Sequence, residues 1–227
     1  MPGFSNPTQR KWIKKNGKGW QLNRKGWKYH CFPTQKAIND FIYKNQLIVF
    51  DFDDTLCPSA ALAANPLPTP EDLMEVDEAA CMVVRTALAS GRVGIVTLSG
   101  RRAYDNHLAR LPLLQALLRD SGIVTQFRMG VVEEFADGVE SKIEGMKNLL
   151  RPHDFTSMLF SIGDQEVEEV ACQETCKDLY HKVVCKTLRL PEDILDLAGF
   201  AGMLRRLRVR MEEMLVAKEN MEGVELE

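Results

Sequence analysis

The run Leu47-Ile-Val-Phe-Asp51-Phe-Asp53-Asp54-Thr55-Leu56 constrains this chain more than any other stretch. Its four leading apolar residues read as a strand buried on both faces, because parallel strands covered by helices are continuously hydrophobic. Asp51 and Asp53 follow, two residues apart. In extended backbone, side chains at i and i+2 point the same way. Two acids therefore converge at the carboxyl end of a strand, where open α/β sheets bind ligands. Asp54 points elsewhere. Like charges at this density repel and resist burial. A divalent cation relieves that repulsion, and hard cations such as Mg²⁺ prefer carboxylate oxygens.

Further apolar runs repeat the pattern. Val93–Leu98 and Met158–Ile162 read as buried strands, Ile123–Phe127 as a shorter one, and 183–188 as the final strand. Helical segments separate them. Thr69-Pro70-Glu71-Asp72 is a helix start, with a capping hydroxyl, proline at the first position and then acids, and Gly91 ends that helix. Residues 101–120 read as helical with a break near Leu111-Pro112. Residues 35–46, 141–150 and 165–180 read as further helices, and Pro191 to about Glu222 as the last. Strands alternating with helices imply a Rossmann-like three-layer α/β sandwich with a mainly parallel sheet and right-handed crossovers. The expected organisation is an N-terminal arm over 1–37, a core over 38–190 and a helical extension over 191–227.

Charge is unevenly distributed. Residues 1–38 hold nine Lys/Arg and no acid, whereas the rest carries 20 basic and 32 acidic residues, a net −12. The arm interleaves its cations with Trp12, Trp20, Trp27 and Tyr29. That composition fits an acidic protein surface or a nucleic acid as partner, or a tail folding back on the acidic body. In the last helix Leu197, Phe200, Leu204, Leu207, Met211 and Met214 step by three and four. That stripe covers the chain's own core or forms a homodimer seam. Arg205, Arg206, Arg208 and Arg210 read as a solvated face.

The six cysteines, Cys31, Cys57, Cys81, Cys172, Cys176 and Cys185, are scattered. Cys172 and Cys176 are four apart on a helix, but no second pair stands at zinc-finger spacing, so all six read as reduced structural thiols. The four histidines, His30, His107, His153 and His181, read as surface or loop residues. No run of 18 apolar residues is present, so no membrane span is expected, and the protein is expected to be cytoplasmic.

Other strand ends carry chemistry too. Thr97 closes the second strand, with Ser99-Gly-Arg behind it. Lys142 follows Glu140-Ser141 at the start of a helix. Asp164 ends the Met158 strand, and Glu168 comes four residues later. All converge on one crevice if the sheet is parallel. The set matches phosphoryl transfer. One carboxylate attacks phosphorus, a second carboxyl moves a proton, and a cation, a hydroxyl and a lysine offset charge.

In this order, Asp51-Phe-Asp53-Asp54-Thr55, Thr97, Lys142 and Gly163-Asp164-Gln-Glu-Val-Glu168 resemble the motifs of the haloacid dehalogenase (HAD) superfamily, of the capless aspartate-nucleophile phosphatase type. The resemblance covers about residues 47–190. It implies a Mg²⁺-dependent phosphatase with Asp51 as nucleophile and Asp53 as general acid/base. Thr97 would hydrogen-bond a phosphoryl oxygen, and Lys142 would steady the phospho-aspartate. The metal set would be Asp51, Asp53 through its backbone carbonyl, Asp164 and Glu168. Ser99 competes with Thr97, Lys147 with Lys142, and Glu169 with Glu168.

Only a dozen residues separate Leu56 from Thr69, and 44 lie between Thr97 and Lys142. Neither gap holds a full cap domain. The resemblance then implies an open site for a bulky phosphorylated substrate such as a phosphoprotein. The alternative is a HAD-fold scaffold of little or no activity that works through its arm and its C-terminal helix.

Overall fold

The computed structural model describes residues 19–22, 28–31, 45–64, 67–128, 134–150, 156–179, 183–192, 194–217 and 219–227. Two units are distinct, residues 1–44 and residues 45–227. In the first, β1 (Gly19–Leu22) and β2 (Lys28–Cys31) pair antiparallel, with Trp20 opposite His30. The rest of the basic arm, and residues 35–44 of the helix expected over 35–46, lie outside the described residues; Asn45 is in a turn and Gln46 opens the first strand of the second unit.

The second unit is built on six parallel strands: β3 (Gln46–Phe50), β4 (Arg92–Thr97), β5 (Val124–Phe127), β6 (Met158–Gly163), β7 (Val184–Arg189) and β8 (Met221–Glu225). Their order across the sheet is β5-β4-β3-β6-β7-β8. The chain starts in the middle, builds outward on one side, then returns and builds on the other. The carboxyl end of β3 therefore faces the switch point, where parallel sheets open a crevice.

Side-chain alternation along β3 explains the layers. Ile48 and Phe50 join the core beneath α2 (Pro70–Ser90), α3 (Arg101–Leu108), α4 (Pro112–Asp120) and α7 (Leu197–Val216). Leu47 and Val49 join a second core beneath α5 (Phe135–Leu149) and α6 (Glu166–Lys177). The fold class read from the sequence is the one observed. Among the described residues no cap domain interrupts it, and the six-residue α1 (Ser59–Ala64) is the one element between β3 and α2.

Local signals explain most boundaries. The Thr69 hydroxyl accepts from Asp72 N at 3.2 Å and Pro70 takes the first turn, so α2 starts where its sequence says. The break between α3 and α4 falls at Pro112. The first turn of α4 is capped from α2, because the buried Asp77 carboxylate accepts from Leu113 N at 2.8 Å and Leu114 N at 2.7 Å.

Two expectations need correction at the C-terminus. Residues 183–188 are not the last strand, because β8 adds to the sheet edge beside β7. The segment 191–222 is not one helix either, since α7 runs only from Leu197 to Val216. Residues 191–227 fall in the same unit as 45–190. The stripe Leu197, Phe200, Leu204, Leu207, Met211 and Met214 is buried, and α7 packs along α2. Each fully buried side chain of this kind contributes about 1.5–3 kcal/mol. A buried lysine ties the two corrections together. Lys186 on β7 donates to the carbonyls of Met214 and, at 2.7 Å, Ala217, and so closes the end of α7. Arg205, Arg208 and Arg210 pair at the surface with Glu75, Glu212 and Glu213. No helix among the described residues is long and apolar enough to cross a membrane.

Candidate active site

β3 delivers Asp51 directly, and its N–H donates to Ile162 O at 2.9 Å. The chain then leaves the sheet in a tight loop. Leu56 N and Cys57 N both donate to Phe52 O, at 3.0 and 2.9 Å. Asp54 adopts a left-handed conformation, φ 53°, and its carboxylate accepts from Ala60 N at 2.8 Å. Asp is among the few residues that tolerate this region. Phe52 is fully buried, and the Tyr104 ring packs on it at 4.2 Å. Apolar anchoring at position 52 thus leaves the flanking aspartates at the mouth of the sheet.

The loop opens onto a cavity of about 360 Å³, lined by Asp51, Asp53, Asp54, Ser99, Arg128, Lys142, Asp164 and Glu168 among others. Its carboxylates outnumber its cations by five to two. At its floor Lys142, 1% exposed, contacts Asp51, reaches Glu168 Oε1 at 2.8 Å and donates to Val96 O at 2.7 Å. Lys142 sits in the middle of α5 rather than at the start of a helix, since α5 begins at Phe135. A capping box between Glu134 and Asp137 sets that start. Gly145 lets α5 approach β4, because a Cβ there would come within 2.5 Å of Val96 Cγ1. The rival Lys147 is half-exposed and pairs with Asp178 at 2.7 Å, away from the cavity.

Glu168 is engaged at both oxygens. Oε1 meets Lys142, and Oε2 accepts from Gln165 N at 3.1 Å as part of a capping box at the start of α6. Gly163 makes room for it, since a Cβ there would lie 2.4 Å from Glu168 Cγ. The structure thus places Glu168 against Lys142 at the cavity wall. Glu169 is turned away and accepts from Gln173 at 3.2 Å.

Asp53 sits in a cradle of donors. Ser59 Oγ donates to its Oδ1 at 2.5 Å, and His107 Nδ1 lies 3.3 Å from the same oxygen. Ser99 Oγ donates to Oδ2, and Thr97 Oγ1 lies 3.4 Å from it. Thr97 is buried and accepts from Ser99 N at 3.0 Å, whereas Ser99 lines the cavity. Ser99 thus stands at the cavity, and Thr97 holds the turn that carries it. Ser59 and His107 carried no local signal in the sequence. They reach Asp53 only because α1 and α3 flank the same loop.

Electrostatics match the geometry. Burial pushes the Asp51 carboxyl up to about 8, with Lys142 opposing the rise and Glu168 and Asp164 adding to it. Burial, then the Glu168 carboxylate, pushes Asp164 up to about 7. Burial and the neighbouring Asp53 raise Asp54, which the Ala60 N–H partly offsets. The Lys142 ammonium is held charged by Asp51 and Glu168 against the opposing effect of its burial. One lysine does not compensate this many acids, and an anionic substrate worsens the balance. The donor set is all hard oxygen, which suits Mg²⁺. Asp51, Asp164 and Glu168 are cavity carboxylates that could hold it.

No family model matches the chain, and no curated protein matches it. Solved structures do resemble it. A Thermotoga maritima protein described as a beta-phosphoglucomutase is 12% identical, with a TM-score of 0.43 over 74% of this chain and 99% of its own. The HAD domain of the Legionella pneumophila effector protein Lem4 (an inactive mutant) is 15% identical, with a TM-score of 0.39 over 76% and 99%. Phosphoserine phosphatase, as a phospho-aspartyl intermediate analogue, is 13% identical, with a TM-score of 0.35 over 69% and 91%. These low scores carry no functional argument, and function rests on the site itself.

Proposed function

We propose that this protein is a Mg²⁺-dependent phosphatase that works through a phospho-aspartate at Asp51. The observation that carries this reading is the bridge of Lys142 between Asp51 and Glu168 at the floor of a cavity that also presents Asp53 and Asp164. A nucleophilic carboxylate needs its charge exposed to phosphorus yet stabilised from behind, and a buried ammonium provides that.

Asp51 attacks the phosphorus of a phosphate monoester, and the ester's P–O bond breaks. Asp53, carrying a proton, gives it to the leaving oxygen, so the alcohol departs neutral. Asp53, now a carboxylate, takes a proton from water as that water attacks the acyl phosphate. Inorganic phosphate leaves and Asp51 is restored. Ser59, Thr97 and His107 fix the Asp53 carboxyl for both transfers. Ser99 donates to a phosphoryl oxygen when substrate is present. Glu168 acts through Lys142 and keeps the ammonium aimed at Asp51. Asp51, Asp164 and the Asp53 carbonyl would hold Mg²⁺, which would supply positive charge against the phosphoryl oxygens.

The absence of a cap supports a bulky substrate, such as a phosphorylated protein side chain, over a small enclosed metabolite. Hydrolysis of a chromogenic phosphate monoester, assayed with and without Mg²⁺, tests the reading. Turnover that requires Mg²⁺ and disappears in Asp51→Asn is expected. Failure of the wild type with any phosphate ester, phosphoproteins included, would leave a scaffold as the better account.

A further inference from the structure

We propose that Cys172, Cys176 and Cys185 form a binding site for a thiophilic cation, Cu⁺ or Zn²⁺, separate from the carboxylate cavity. Cys172 and Cys176 are four apart on α6 and so share one face of the helix. Cys185 comes from β7, two strands from the catalytic loop of β3. The three sulfurs lie within 4.8 Å of one another, and those of Cys172 and Cys185 are 3.7 Å apart.

Coordination geometry fits these spacings. A metal–sulfur bond of about 2.3 Å sets ligand sulfurs about 3.8 Å apart in a tetrahedron and about 4.0 Å apart in a trigonal plane. Cys172 and Cys185 already stand at that separation. The widest pair closes by about an ångström at most, less than one side-chain rotation supplies. Thiols that merely fill a core pack against hydrocarbon. Here Leu47, Leu159 and Val183 belong to the same cluster, yet the sulfurs meet each other.

The donor set chooses the metal class. Three sulfurs without a carboxylate select soft cations over Mg²⁺. Among the described residues, no fourth Cys, His, Asp or Glu joins the group. Cu⁺ would therefore be trigonal, whereas Zn²⁺ would keep one exogenous ligand. Cys176 is the least buried of the three and gives the ion its entry path. The framework is already held, since Asn220 accepts from Cys185 N at 3.2 Å and Cys172 lies 3.6 Å from Lys186 O. Coordination needs thiolates, so the thiol protons leave to solvent as the metal enters.

The test uses the full chain, reduced and kept free of oxygen. Co²⁺ and Cd²⁺ are titrated as probes, and the thiolate-to-metal charge-transfer absorption is recorded. Expected are one equivalent bound, no displacement by excess Mg²⁺, and a higher melting temperature with one equivalent of Zn²⁺. The band should disappear in Cys176→Ser and in Cys185→Ser and persist in Cys81→Ala. Cys176 is only partly buried, so its variant should melt like the metal-free wild type and isolate binding from folding. No band in the wild type, or a band that survives both serine variants, overturns the proposal. So does a Cys172–Cys185 disulfide in air-exposed protein if the reduced form binds no probe. None of these readouts depends on phosphatase activity.

Discussion

Lys142 Nζ lies 2.8 Å from Glu168 Oε1 while its other side contacts Asp51, so one buried ammonium joins α5, α6 and the end of β3. Burying three charges is costly unless each is paired. Burial favours the protonated form of Asp51, and the Lys142 ammonium opposes it by stabilising the carboxylate that attack requires. The same residues thus bear on stability and on chemistry, and the two can be separated by substitution.

Lys142→Met should abolish turnover. It should also destabilise the metal-free protein by about 3–5 kcal/mol, because Asp51 and Glu168 are left buried without a partner. Glu168→Gln keeps shape and the contact with Lys142 but halves the ammonium's compensation. A loss in kcat of about tenfold to a hundredfold, with Mg²⁺ affinity little changed, is expected if Glu168 acts through Lys142. A large loss of Mg²⁺ affinity, measured by calorimetry, would instead make Glu168 a ligand.

Stability of the metal-free protein should fall as pH rises from about 4 to about 8. The folded Asp51 and Asp164 hold protons up to about 8 and about 7, whereas the unfolded chain releases them near 3.8. Within that window the folded state binds more protons, so raising pH favours unfolding, and the loss is complete above the folded values. Lys142 stays charged throughout and does not alter the trend. Thermal melts at pH 5 and pH 8 check this. Mg²⁺ should restore stability at pH 8 and do little at pH 5.

Ser99→Ala should lower kcat/KM by about tenfold to a hundredfold with little change in melting temperature. Thr97→Val should do the reverse. It removes a buried acceptor from Ser99 N and costs about 1–3 kcal/mol of stability, with a smaller loss of activity. If Thr97→Val loses activity at unchanged stability, the phosphoryl contact belongs to Thr97.

Sequence and structure agree where the signal is local. β3, β4 and β6 are legible because parallel buried strands are unbroken apolar runs, and Asp51, Asp53, Lys142 and Asp164 are legible because they follow such runs or face them. β8, Met-Glu-Gly-Val-Glu, has no apolar run. It becomes a strand only by pairing with β7 at the edge, a choice made by tertiary hydrogen bonds. α5 starts at Phe135, before the expected 141, because a capping box between Glu134 and Asp137 sets its first turn. His107, 54 residues from Asp53, and Cys185, on a different element from Cys172, meet their partners only through the fold.

Asp77 tests that last point for stability. It caps α4 from α2, 36 residues away in sequence, so no local pattern reveals it. Asp77→Ala should cost about 1–2 kcal/mol, while catalysis per folded molecule stays intact. Chemical denaturation with parallel activity measurement checks both halves.

The central claim is that Asp51 becomes covalently phosphorylated, and chemical trapping measures it directly. The enzyme is mixed with a phosphate ester and Mg²⁺, quenched in acid within one turnover, and reduced with borohydride. Reduction converts an acyl phosphate at aspartate to homoserine, which peptide mass spectrometry locates. The account predicts homoserine at position 51 and nowhere else, absent without Mg²⁺ and absent in Asp51→Asn. Turnover without any label at Asp51, or with the label on another carboxylate, would contradict it.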